Sequence, residues 1–101
     1  MLVIVKTYLA RAGEEDAIIA LHEDWQHDQR SVSTRGGYHS WKLLRKEGSL
    51  TEFISIAQFA DERIAAMALQ ELEKDEWYQR LVSLMAEEPT QVRYTIVWQL
   101  Q

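Results

Sequence analysis

The stretch "YHSWKLLRKEGSLTEFISIAQF", Tyr38 to Phe59, reads as two β-like runs, residues 38–46 and 50–59, separated by Glu47-Gly48-Ser49. Two runs rich in β-branched and aromatic residues around a short Gly-containing spacer predict a β-hairpin. Gly36-Gly37, at the end of the polar stretch "SVSTRGG", favours a turn just before it. The hairpin lies in the middle of the chain, so the reading of the fold turns on what flanks it.

On the N-terminal side, residues 2–10 (LVIVKTYLA) predict a strand that ends at the Ala12-Gly13 break. Glu14, Glu15 and Asp16 then put negative charge in the first turn of a helix. Ile18, Leu21 and Trp25 carry its apolar stripe, and the pattern runs to about Arg30. On the C-terminal side, Asp61 is placed to cap a second helix with Ile64, Ala68 and Leu72 on one face. "EKDEW" changes the stripe before Trp77, Leu81, Leu84 and Met85 continue it, which predicts two helical pieces or one kinked helix ending near Pro89. Residues 91–100 alternate Val92, Tyr94, Ile96, Trp98 and Leu100 against polar neighbours and predict a closing strand.

The order is therefore βαββαβ, an α+β ferredoxin-like pattern with a four-stranded antiparallel sheet and both helical regions on one side of it. A chain of 101 residues with 47% hydrophobic content supports one core, so residues 1–101 are read as a single domain. There are no internal repeats or low-complexity tracts.

Composition removes several function classes. A formal charge of −5, from 11 Lys+Arg against 16 Asp+Glu, makes poor material for a phosphate-binding surface, so nucleic acid is not an expected partner. Without cysteine there are neither disulfides nor thiolate metal sites. "MLVIVKTYLARAG" lacks a basic leader and contains Lys6, so it is read as a strand and not a signal peptide. No stretch approaches the roughly 18 apolar residues of a membrane helix, and a cytoplasmic protein without membrane contact is expected. No GxGxxG, P-loop or nucleophile elbow suggests a cofactor, and none is expected.

The strands do not alternate cleanly. Leu2, Ile4 and Tyr8 point one way while Val3, Val5 and Leu9 point the other, and the second strand sets Trp41 and Leu43 opposite Tyr38 and Leu44. Helices on one face and water on the other would give apolar/polar alternation. An apolar second face predicts contact with another copy of the chain, a homodimer.

Among residues with chemistry to offer, His39 and Trp41 are two apart in a strand and are expected to share a face, where an imidazole base could act beside a ring that stacks an aromatic substrate. The competing reading is a histidine hydrogen-bonded at the sheet edge beside a packing tryptophan. His22 and His27 lie about 140° apart around a helix and do not form a paired ligand site, while Glu23 and His27 at i,i+4 read as an exposed charge pair. No metal site is expected. Lys6, Tyr8, Lys42, Glu52, Gln58 and Arg93 fall on the more polar phases of their strands. If the even-numbered phases share a face, they join Ile4, Ile54 and Ile56 in a small-molecule pocket. Against that stand solvated strand ends, including an Arg93–Glu52 ion pair. Trp25, Trp77 and Trp98 sit on apolar stripes and are expected in the core. Tyr8 and Tyr94 are phenols able to hydrogen-bond an enolate-like oxygen.

The element order, the Gly37-Tyr38 … Leu43-Leu44-Arg45 run, the junction "ISIAQFADERIAA" and "DEWYQRL" resemble the antibiotic biosynthesis monooxygenase family over nearly the whole chain. That resemblance implies a dimeric α/β barrel in which two sheets face each other, and activities that include cofactor-free oxygenation of electron-rich aromatic polyketides, haem degradation and handling of small sugar-derived signals. Members commonly end the third strand in tryptophan, where this chain has Phe59. Many carry a histidine near the place of Gln70 or Glu71. The haem-degrading members use an Asn, Trp and His set, and this chain has no asparagine.

The expected function is a cofactor-independent, monooxygenase-like or isomerase-like enzyme acting on a small aromatic or carbonyl-containing metabolite. His39 would be catalytic, and Tyr8, Trp41, Gln58, Phe59 and Arg93 would bind substrate. The alternative is a non-catalytic ligand-binding or structural homodimer of the same fold. A third reading is a haem-binding protein with His22 or His39 as axial ligand.

Overall fold

The computed structural model describes residues 1–25 and 38–100. The elements are β1 (Leu2–Leu9), α1 (Glu15–Trp25), β2 (Tyr38–Arg45), β3 (Glu52–Phe59), α2 (Glu62–Lys74), α3 (Glu76–Ser83) and β4 (Thr90–Thr95). The strands form one antiparallel sheet in the order β2-β3-β1-β4, the ferredoxin-like arrangement. The expected extension of α1 toward Arg30, the Gly36-Gly37 turn and His27 lie outside the described residues.

Local chemistry sets the element ends. Gly48 adopts φ +81° in the hairpin turn, a conformation that costs glycine little, and the turn is closed by the Ser49 N–H donating to the Lys46 carbonyl at 3.1 Å. Asp61 caps α2 by accepting from the Ile64 N–H at 2.9 Å. The expected break between two helical pieces falls on Asp75. Its extended backbone (φ −79°, ψ 135°) ends α2 with its N–H on the Leu72 carbonyl, while its carboxylate accepts from the Trp77 N–H at 2.9 Å to start α3.

Helix α3 stops at Ser83, before Pro89. The chain there turns to meet the end of β1: Met85 bridges Ala10, and the Ala86 N–H donates to the Leu9 carbonyl at 2.7 Å. The closing strand is also shorter than its alternation predicts. It ends at Thr95 opposite Leu2, followed by one more backbone bond, the Ile96 N–H donating to the Met1 carbonyl at 3.1 Å. Beyond it Val97, Trp98 and Leu100 are 77–94% exposed, so Trp98 is not a core residue.

The register decides which phases face the helices. Lys6 stands opposite Ser55 and Ile4 opposite Ala57, so the even phase of β1 shares a face with the odd phase of β3. Ile4, Lys6, Tyr8, Phe53, Ser55, Ala57 and Phe59 are all buried under the helices. Ile54, Ile56, Gln58 and Lys42 lie on the opposite side, and the proposed even-numbered face does not exist. The ion pairs also differ from expectation: Glu52 pairs with Lys46 at 3.6 Å and Arg93 with Glu62 at 3.2 Å.

The core between sheet and helices has two parts. One gathers Tyr8, Ile18, Leu21, Trp25, Phe53, Trp77, Leu81 and Met85; the other gathers Ile4, Ala57, Phe59, Ala65 and Ala68. The far face of the sheet carries Val3 and Val5, both half-buried, beside Leu44, Ile54, Val92 and Tyr94, each 39–54% exposed. Among the described residues, no helix is long and apolar enough to cross a membrane.

Candidate functional site

The first half of β2 organises the site. Tyr38 stands opposite Phe59 and Ser40 opposite Gln58, so two steps on β2 match one on β3. The extra residue is a β-bulge, which reverses the inside/outside phase of the strand. Tyr38 and Trp41 therefore both turn toward the helices, with ring centroids 5.4 Å apart and planes 15° from parallel. His39 is exposed, and Ser40 donates from its hydroxyl to Gln58 Oε1 at 2.8 Å.

A cleft of about 640 Å³ opens between α1 and β2, with β2 at the edge of the sheet. Among the described residues its apolar walls are Ile19, Trp25, Tyr38, Trp41, Leu43 and Phe53, its polar lining comprises His22, Glu23 and Arg45, and the far-face residues Ser40 and Lys42 border it along the edge strand. Volume and lining suit a small planar ligand fixed by a few polar groups. Trp41 is held by its indole N–H, which donates to Ser55 Oγ at 2.7 Å, and by Trp25, whose ring meets it edge-on at 4.8 Å. Arg45 lies 5.0 Å from the Phe53 ring centroid.

His22 occupies the inner wall. Its Nδ1 lies 2.8 Å from the Ile18 carbonyl one turn earlier. A carbonyl only accepts, so in the neutral ring the proton is on Nδ1 and Nε2 carries the lone pair. Rings surround it: Trp77 at 5.2 Å, Trp41 at 5.3 Å and Tyr8 at 6.2 Å. Burial pushes its pKa below the ordinary 6.5, only partly offset by the Ile18 hydrogen bond, so the ring is neutral at neutral pH. Its buried Nε2 has no hydrogen-bond partner among the described residues.

Behind the Tyr38–Trp41 layer is a space of about 10 Å³ bounded in part by Lys6, Tyr8 and Ser55. Lys6 Nζ lies 3.4 Å from the Tyr78 hydroxyl and 4.4 Å from the centre of its ring. Burial lowers the Lys6 pKa to about 8 against the upward pull of Glu73. Burial raises that of Tyr8, with a Ser55 hydrogen bond opposing, and raises that of Tyr38 to about 12 with help from Glu71.

Of the catalytic and substrate-binding residues expected from sequence, Trp41 alone lines the cleft. Tyr8 and Phe59 are buried in the two core clusters, Gln58 faces the other side of the sheet, and Arg93 is paired with Glu62 on the surface. His39 is not among the cleft residues. His22 is, and a signal for it exists: it follows Ile18 by one helical turn and adjoins Leu21 on the buried stripe of α1. No group of three or more His, Cys, Asp or Glu side chains among the described residues is arranged to hold a metal.

The fold has many solved counterparts. A candidate antibiotic biosynthesis monooxygenase from Nitrosomonas europaea is 17% identical, with 97% of this chain and 100% of that one covered at a TM-score of 0.75. The chain has the fold of the antibiotic biosynthesis monooxygenases. A counterpart from Bordetella bronchiseptica is 15% identical over 96% of this chain and 97% of that one, at a TM-score of 0.78. SnoaB, a cofactor-independent oxygenase from Streptomyces nogalater, seen as a single-site mutant, is 17% identical over 98% of this chain and 95% of that one, at 0.73. No family profile and no curated protein sequence matches the chain.

Proposed function

We propose that this chain is a cofactor-independent, monooxygenase-like or isomerase-like enzyme of the antibiotic biosynthesis monooxygenase type, acting on a small aromatic or carbonyl-containing metabolite bound between α1 and β2. The observation that carries the reading is a cleft walled by Trp25, Tyr38, Trp41 and Phe53 with a neutral imidazole at its inner side. Electron-rich rings stack on such walls, and a neutral imidazole accepts a proton without first losing one. SnoaB, described as a cofactor-independent oxygenase, lends support through the shared fold.

In an oxygenation of this kind the substrate supplies the electrons. A methylene carbon activated by adjacent rings takes one atom of O₂ as a carbonyl, and the other leaves as water with the two hydrogens. The protein contributes a base, a dry wall and fixed dipoles. In an isomerisation the same base moves a proton next to a carbonyl.

The enzyme acts as a homodimer in this reading. The apolar face formed by half-buried Val3 and Val5 with exposed Ile54, Val92 and Tyr94 is of the kind that self-association covers, and a second copy offers the same patch across a two-fold axis.

The test is oxygen uptake with hydroxylated naphthols and anthrones, with no flavin or metal added and with chelator present. Stoichiometric uptake with product formation supports oxygenation. Saturable binding without any product favours the non-catalytic ligand-binding dimer, and no binding at all overturns the cleft as the site.

A further inference from the structure

We propose that His22 Nε2 is the group that accepts a hydrogen bond from the ligand, and that the ligand is accordingly a planar aromatic presenting a phenolic or enolic O–H at its inner edge. The inference rests on the cleft being the binding site and adds which atom reads the ligand and which ligand chemistry that atom selects.

The Ile18 carbonyl lies 2.8 Å from Nδ1 and so fixes the tautomer of the neutral ring. The remaining nitrogen is an obligatory acceptor. Buried acceptors are normally paired, because leaving one unmade forfeits its hydration without return. Nε2 is buried and has no partner among the described residues. Its neighbours are the rings of Tyr8, Trp41 and Trp77, and both indole N–H groups that could have served it are committed elsewhere: Trp41 donates to Ser55 Oγ at 2.7 Å and Trp77 to the Leu21 carbonyl at 2.6 Å. Among the described residues both neighbouring indole donors are thus committed and one buried acceptor is left, on a residue that lines the cleft.

An acceptor in a ring-walled site selects a donor on a ring-shaped ligand. A ketone, ether or carboxylate edge offers only lone pairs and is rejected there; a hydroxyl edge is accepted. A site that hydrogen-bonds a ligand O–H discriminates against the analogue lacking it because its own polar group is then left unpaired. Nε2 lies beneath the surface of the cleft, so the hydroxyl reaches it by displacing part of the ring wall. Trp41, half-buried and lining both the cleft and the interior space, is the part of that wall between them.

The experiment uses a matched pair of probes, 2-naphthol and its methyl ether, with binding measured calorimetrically on the full chain. The wild-type protein is expected to favour 2-naphthol by about tenfold, equivalent to about 1.4 kcal/mol. His22→Phe, which keeps a ring in place but has no lone pair, is expected to bind both probes equally and to hold the ether as well as wild type does. In the wild-type protein with ¹⁵N-labelled histidine, the His22 Nε2 resonance should move on adding 2-naphthol and stay on adding the ether, a readout that needs no variant. Equal binding of the two probes by wild type, or unchanged preference in His22→Phe, overturns the assignment while leaving the cleft reading intact. Failure of both probes to bind overturns the cleft reading and this one together.

Discussion

Tyr38 and Trp41 stack with their ring centres 5.4 Å apart although three positions separate them along β2, because a bulge in the first half of that strand absorbs one residue. A regular strand would have put His39 and Trp41 on one face. The bulge instead exposes His39 and brings two aromatic rings to the wall between cleft and core.

The two residues His39 and Trp41 should therefore respond very differently to truncation. His39→Ala is expected to change stability by no more than about 0.5 kcal/mol, as is usual for exposed positions. Trp41→Ala removes a half-buried ring and its bond to Ser55 and should cost about 3 kcal/mol. Urea denaturation of both variants checks this, and a His39→Ala loss as large as that of Trp41→Ala would contradict the placement.

Asp75 ends one helix and begins the next, so its carboxylate is a cap with a measurable share in stability. Asp75→Ala should lose about 1 kcal/mol, and Asp75→Asn, which keeps an accepting oxygen, should recover most of it. Matched urea titrations of the two variants measure the difference.

Stability should vary with alkaline pH in two opposed stages. Lys6 titrates near 8 when folded against an ordinary 10.5, so between those values the unfolded chain binds a proton the folded chain does not, and stability rises with pH. Tyr8 and Tyr38 have raised folded values against an ordinary 10, so the unfolded chain loses phenolic protons first and stability falls above pH 10. Lys6→Met should flatten the rise between pH 8 and 10 while leaving the later fall. Denaturation midpoints across that range would show it.

On the acid side the sign follows from His22. Its folded pKa is depressed below 6.5, so its contribution is complete above that value and is lost as pH falls through the folded one. His22→Phe should weaken the acid dependence below pH 6.5, measured in the same way.

The open face of the sheet gives a test of assembly. Ile54→Lys together with Val92→Lys places two charges on the patch that faces away from the helices, and light scattering should then report one chain where the unaltered protein reports two. A monomeric unaltered protein would remove the dimer from the proposed function.

What the sequence determined by itself was local. The strand read over residues 2–10 and found over 2–9, the start of α1 in an acidic turn, the Gly48 hairpin, the Asp61 cap and the helix break near "EKDEW" each depend on residues within one or two turns of one another, and periodicity or a capping side chain suffices to read them. Tertiary structure decided the rest, because it depends on pairing between distant segments. The bulge in β2 exists only against β3, and the face on which Lys6 lies is set by its being opposite Ser55. The alternation through Leu100 could not show that pairing with β1 ends at Thr95 and leaves Val97, Trp98 and Leu100 exposed. The site itself joins a histidine from α1 to rings from β1, β2 and α3, residues 8, 22, 41 and 77. A side chain whose meaning is the hydrogen bond it lacks is legible only when all of its neighbours are in place.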